Sequence, residues 1–164
     1  MANVERKRLA HYIDASFDAT GNNPTYVRLG KDLEEYNLEL NPDVEVKKNI
    51  LGETTINFSG YEPQSEVGTY RIDEDDPLYK QLEEIANGRL HGEECKTTTV
   101  DVLVDTKGKV LWAYREKVVV APTSMGGDTS GVQIPFTIHN AGERVKGNWD
   151  VTAKTFTELP SGEE

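Results

Sequence analysis

The sequence predicts a mainly β fold with a single α-helix, built as two packed antiparallel sheets (a sandwich or open barrel) flanked by that helix. Three observations lead there. Several stretches alternate apolar and polar residues with the period of half-buried strands. Only residues 73–88 carry a full set of helix signals. Clusters of Gly, Pro, Asn and Asp separate the alternating stretches at short intervals, which suits an all-β plan of about nine strands. A chain of 164 residues accommodates this as one domain, 1–164.

The helix is predicted over 77–87. Asp76 is a good N-cap, Pro77 occupies the first helical position where its missing N–H costs nothing, and Gly88 is the expected left-handed residue after the last turn. Asp73, Glu74 and Asp75 lie just before the positive end of the helix dipole. Leu78, Leu82 and Ile85 form one apolar stripe, and burying them would contribute about 5–8 kcal/mol. A helix this short needs a sheet to lie on.

The strands follow in order. Residues 1–9 read as an N-terminal arm, and His11–Phe17 and Tyr26–Leu29 as short strands separated by the turn cluster of residues 20–24. From Glu34 the alternation sharpens: Tyr36, Leu38 and Leu40 point one way, Glu35, Asn37, Glu39 and Asn41 the other. Residues 41–52 read as a long exposed hairpin or loop, and Thr54, Ile56 and Phe58 as the apolar side of the next strand. After the helix, Lys96–Asp105 is a strong strand, and Asp105-Thr106-Lys107-Gly108 has the composition of a tight hairpin turn. The return strand 110–120 has charges in its middle, which suggests an edge position, partial exposure or a bend. Residues 121–131 read as a flexible loop. Pro135 marks an edge or bulge in the strand 132–139, 149–158 is the last strand, and 159–164 a C-terminal tail.

Composition narrows function. Hydrophobic residues make up 36%, mean hydropathy is −0.61, and no apolar run approaches the length of a membrane span. The charged N-terminus has no apolar stretch of a signal peptide behind it. The formal charge of −11 is spread along the chain, so the surface repels duplex DNA and anionic membranes. A single cysteine, Cys95, excludes an internal disulfide and a thiolate metal cluster. Glu93 and Glu94 precede it, a setting that raises a thiol pKa.

No catalytic constellation emerges. His11, His91 and His139 have no ligand spacing, and Asp73, Asp75 and Asp76 lack the glycine a calcium loop needs. Gly126-Gly127 does not stand between a strand and a helix, as a phosphate loop requires. More informative are the polar faces opposite aliphatic ones: Glu35/Asn37/Glu39, Glu53/Thr55/Asn57, Thr97/Thr99/Asp101 and Gln133/Thr137. Each is either the solvated side of a sheet or, repeated around a ring of subunits, the wall of a channel.

Tyr26-Val27-Arg28-Leu29-Gly30, the acidic strand from Glu34 running into the long loop through Val44 to Gly52, Gly68–Gly88 as strand and capped helix, and Lys117-Val118-Val119-Val120 together resemble the major tail proteins (tail tube proteins) of tailed phages. The likeness covers nearly the whole chain in order and character. It implies two roughly orthogonal sheets with a flanking helix, assembled as hexameric rings whose inner strands join into one β-barrel and which stack into a tube with an acidic lumen. The implied partners are copies of the chain, other tail proteins at the tube ends, and a tape measure protein in the lumen before ejection. DNA would be non-specific cargo, with no membrane, cofactor, metal or enzymatic activity involved. The implied location is the virion tail, assembled in the host cytoplasm. Candidate lumen-lining residues are Glu35, Asn37, Glu39, Glu53, Thr55 and Asn57; candidate inter-ring contacts are Val44, Glu45, Val46, Lys47, Lys48 and Asn49. The tube protein of a contractile tail or phage-derived injection system is one alternative, and a monomeric β-sandwich binding module is another.

Overall fold

The computed structural model describes residues 3–17, 24–31 and 33–159. The predicted turn at 20–24 and the tail 159–164 therefore lie largely outside the described residues. The fold is mostly β with one helix, as the alternation predicts, and its large sheet curls into an antiparallel half-barrel.

After a 3₁₀ turn at Arg6–Arg8, the strands are β1 (Leu9–Asp14), β2 (Tyr26–Leu29), β3 (Leu38–Glu39), β4 (Pro42–Lys48), β5 (Thr54–Tyr61) and β6 (Gln64–Val67). Helix α1 (Pro77–Gly88) and a 3₁₀ turn (Gly92–Cys95) follow. The remaining strands are β7 (Lys96–Val104), β8 (Val110–Pro122), β9 (Gly126–Asp128), β10 (Gly131–Gln133), β11 (Phe136–Asn140), β12 (Val145–Asp150) and β13 (Thr155–Glu158). The large sheet runs β2-β1-β7-β8-β11-β6-β3, and the β12–β13 hairpin joins it at β8. Two small hairpins, β4–β5 and β9–β10, stand apart from it.

The helix begins as the sequence dictates. Asp76 accepts from the Leu78 N–H at 2.9 Å, and Pro77 opens the first turn. At the other end the expectation for Gly88 fails: the left-handed residue is Arg89 (φ 49°, ψ 45°), with Gly88 still inside the helix. Gly88 serves close packing instead, since a Cβ there would stand 3.1 Å from the Leu90 side chain. Leu78, Leu82 and Ile85 are buried.

Odd and even positions of β1 face different cores. Ile13, with Leu29, Val118, Val120, Phe136 and Ile138, packs with Leu78 and Leu82 of the helix. Ala10 and Tyr12 join Tyr26, Val100, Val102 and Ala113 beneath Trp149 of the β12–β13 hairpin. The sheet is thus covered on one face by the helix and on the other by a hairpin.

Several sequence expectations are corrected. The alternation from Glu34 yields only two paired residues, Leu38 and Glu39, because only Ser65 and Gln64 of β6 lie opposite. Ile56 and Phe58, the apolar side of their strand, are exposed, since β5 pairs with β4 alone. Strand β8 is central rather than at an edge, and its charged middle is partly exposed, with Lys117 exposed and Glu116 buried. That middle falls where the adjoining partner changes from β12, paired through Arg115, to β11, paired from Val118. Part of the loop 121–131 forms β9 against β10, and the last strand is a hairpin with its turn at 151–154. Pro135 does interrupt its strand, between β10 and β11. The hairpin turn at 105–108 is present, with Asp105 Oδ1 accepting from the Lys107 and Lys109 N–H groups at 2.8 and 2.9 Å.

Two substitutions calibrate the helix. Leu82→Ala is expected to lower unfolding stability by about 2–5 kcal/mol, as for a fully buried leucine, and Asp76→Ala by about 1 kcal/mol, as for a lost cap. Urea unfolding followed by far-UV circular dichroism measures both.

Candidate functional site

The most unusual feature is the hairpin β4–β5. Its strands pair from Pro42↔Tyr61 to Lys48↔Thr54, and every residue of β4 is exposed. It continues the β3–β6 pair of the large sheet past a bend at Asn41, whose φ is 44° and whose Nδ2 donates to the Glu62 carbonyl at 3.0 Å. Seven paired residues at about 3.3 Å each make an arm on the order of 23 Å long.

Register gives the arm two unlike faces. Val44 lies opposite Phe58 and Val46 opposite Ile56; Glu45 lies opposite Asn57 and Lys47 opposite Thr55. A register shift between Asp43 and Val44 allows Phe58 and Tyr61 to meet edge to face, with ring centroids 5.1 Å apart. One face is thus apolar and the other polar, and both meet solvent. Among the described residues, eight of the thirteen exposed large hydrophobics fall between Leu40 and Tyr61. A contiguous apolar patch of this kind marks an interaction surface, whereas scattered single residues do not.

The candidate lumen residues separate into two places. Glu35, Asn37 and Glu39 line an open depression of about 310 Å3 with Gln64 and Glu66 at the β3 margin, where Asn37 Nδ2 donates to Glu35 Oε1 at 2.8 Å. Glu53, Thr55 and Asn57 belong to the arm instead. Thr55 and Asn57 face Lys47 and Glu45 across it, so these candidates and the inter-ring candidates Val44–Asn49 form one unit. The motif that could have revealed this is Asn49-Ile50-Leu51-Gly52, a turn between two alternating runs.

A second constellation escaped sequence reasoning because its members lie far apart in the chain. His11 Nδ1 is 2.6 Å from Asp101 Oδ1, and Arg6 Nη2 is 2.9 Å from His11 Nε2. An arginine can only donate, so Nε2 accepts and the proton sits on Nδ1, facing the carboxylate. Arg144 Nη1 reaches Asp101 Oδ2 at 3.0 Å and Glu116 Oε1 at 2.6 Å, while Asn140 Nδ2 donates to Glu116 Oε2 at 2.8 Å. Tyr36 stacks at a tilt on His11, 4.5 Å between centroids, and its carbonyl accepts from Arg6 at 2.9 Å. Burial pushes the Tyr36 phenol up to about 12; the Asp101 charge adds to the rise, and the Ser65 hydrogen bond and Arg6 oppose it. These groups are paired with one another, and Arg6, His11 and Tyr36 line an open cavity of about 490 Å3 with Arg28, Lys31 and Glu35. Cys95 is buried, its Sγ donates to the Leu90 carbonyl at 3.3 Å, and burial followed by the Glu94 charge raises its pKa. Among the described residues, no group of three His, Cys, Asp or Glu could hold a metal ion.

No family model matches the chain, and no curated protein matches it by sequence. Solved structures do match in fold. The PVC sheath/tube terminator of an extracellular contractile injection system, in its extended state, aligns with a TM-score of 0.55 at 10% identity, covering 90% of this chain and 99% of that one. The tube-terminating cap of the anti-feeding prophage aligns with a TM-score of 0.54 at 12% identity, covering 89% and 91%. At these identities the likeness is one of fold.

The raised phenol gives a pH expectation. Tyr36 keeps its proton in the folded state beyond the ordinary value of 10.0, up to about 12. Its contribution is therefore complete below pH 10 and is lost as pH rises towards 12. Stability measured across that window should fall in the wild type, and fall less in Tyr36→Phe, which has no phenol to ionise.

Proposed function

We propose that this chain is a structural subunit of a phage-type tail tube, which assembles with copies of itself into rings that stack around a channel. The observation that carries the reading is the fold likeness to two tube-terminating proteins over nearly the full length of both partners. The half-barrel adds to it. Among the described residues nothing pairs with the outer edge of β2 or of β3, and a sheet with open margins gains partners by joining copies of itself. The arm adds a second argument, because an isolated two-stranded hairpin is marginal in water unless its apolar face is covered.

In this reading six subunits close a ring. The margin formed by Glu35, Asn37, Glu39 and Glu66 faces the bore together with the polar side of the arm, Glu45, Lys47, Thr55 and Asn57. The apolar side, Val44, Val46, Ile56 and Phe58, lies against neighbouring copies. A net charge of −11 keeps polyanionic DNA from adhering to the wall as it passes. The role is structural rather than enzymatic. Tail proteins at the tube ends and a tape measure protein in the bore are the partners, and the virion tail, assembled in the host cytoplasm, is the location. A second reading, that the chain closes a tube's end, is favoured by the roles named for the two matched structures.

Sedimentation velocity over rising concentration, with negative-stain imaging, tests both. Long tubes are expected of a tube protein, and single rings that do not stack of an end-closing protein. A protein that stays monomeric at high concentration sinks both readings. Tubes of Glu35→Lys/Glu39→Lys protein should still form but retain DNA in a co-pelleting assay where wild-type tubes do not.

A further inference from the structure

The turn at the end of the arm holds two aliphatic side chains out in water. Asn49 organises it: Oδ1 accepts from the Leu51 and Glu53 N–H groups, each at 3.0 Å. Its backbone N–H donates to the Glu53 carbonyl and its own carbonyl accepts from Gly52 N–H, each at 3.1 Å. Gly52 takes a φ of 81°, which a side chain would resist. Four hydrogen bonds on one residue fix the turn, and on it Ile50 and Leu51 are 102% and 78% exposed. A rigid pair of adjacent aliphatics loses little freedom on binding, so the turn is preorganised as a knob.

At the base of the same arm lies a groove of about 560 Å3, walled by Leu38, Leu40, Tyr61 and Pro63 and bordered by Glu116 and Arg144. Tip and base also differ in charge. Residues 47–53 carry Lys47 and Lys48 against the single carboxylate of Glu53, and Lys47 Nζ lies 3.4 Å from Glu45. Residues 33–43 and 61–66 carry six carboxylates and no lysine or arginine.

The geometry points to this groove as the socket for Ile50 and Leu51 of a second copy of the chain. The inference rests on the assembly reading above and names what the arm touches. A tip about 23 Å from its own base cannot fold back into it, so the partner must be another subunit. Apolar knob meets apolar groove; at the groove itself Glu116 is paired with Arg144, and the carboxylates available to the tip lysines are those of the neighbouring segments 33–43 and 61–66. Because knob and socket are different surfaces, the contact is heterologous: one pair leaves a free knob at one end and a free socket at the other, so it propagates. A contact of tip with tip would be isologous and would stop at two copies.

Cysteine cross-linking tests the pairing. Leu51→Cys and Leu40→Cys alter exposed positions, so both proteins should fold, and buried Cys95 is left in place with wild type as the oxidation control. Mixed and gently oxidised, L51C and L40C should give a disulfide-linked dimer that neither gives alone. Ile50→Asp/Leu51→Asp should raise the concentration needed for assembly at least tenfold while leaving the melting temperature unchanged. A dimer from L51C alone means tip-to-tip contact and overturns the socket. Assembly of wild type with no mixed cross-link also overturns it, yet leaves the assembly reading standing. Wild type that never assembles removes that reading, and the socket with it.

Discussion

Strand β8 is the member on which the remaining layers depend. It pairs with β7 along one edge and divides the other between β12 and β11. At that division Glu116 points into the protein and is only 7% exposed. A buried carboxylate without partners would cost several kcal/mol. Arg144 and Asn140 satisfy both its oxygens, Arg144 extends to Asp101, and Asp101 extends through His11 to Arg6. The result is a line of polar contacts across β1, β7, β8 and β11, and its value lies in register. A slip of one residue would carry Glu116 to the face where Val102, Ala113 and Trp149 pack, away from Arg144 and Asn140.

How much of this the sequence revealed depends on how local each cause is. The helix was legible because Asp76, Pro77 and the Leu78/Leu82/Ile85 stripe act within three turns of one another. Its end was misread because glycine was assigned the left-handed position, when Gly88 stays helical in tight contact with Leu90 and Arg89 takes the left-handed conformation. Alternation located strands well and their environments poorly. Val100 and Val102 alternate in the same way as Ile56 and Phe58, yet the first pair is buried and the second is not. Period two says that a strand has one apolar face; it does not say that the same chain covers it. His11 looked like an isolated histidine because Asp101, ninety residues away in sequence, is its neighbour across a ladder.

That ambiguity of alternation carries functional information. A chain whose strands all bury their apolar faces internally is complete by itself. Here the pattern continues into an arm whose apolar face no part of the described chain covers. The acidic margin beside β3 fits the same picture: Glu35, Glu39 and Glu66 carry like charge around a shallow depression, an arrangement tolerable in water or along a hydrated bore but unfavourable in a dry interface.

Energetics then bear on how such an arm can work. Covering Val44, Val46, Ile56 and Phe58 contributes about 1.5–3 kcal/mol each, roughly 6–12 kcal/mol in all. Immobilising one subunit on another costs an estimated 4–15 kcal/mol before any side chain is ordered. A single arm docked on a single neighbour is therefore close to balance, too weak to hold a pair together at ordinary concentrations. In the ring proposed above the outcome changes at closure, because the contact that closes the ring forms between subunits already held and costs no further rigid-body freedom. On the proposed reading, an arm of this strength favours closed rings over isolated pairs of subunits.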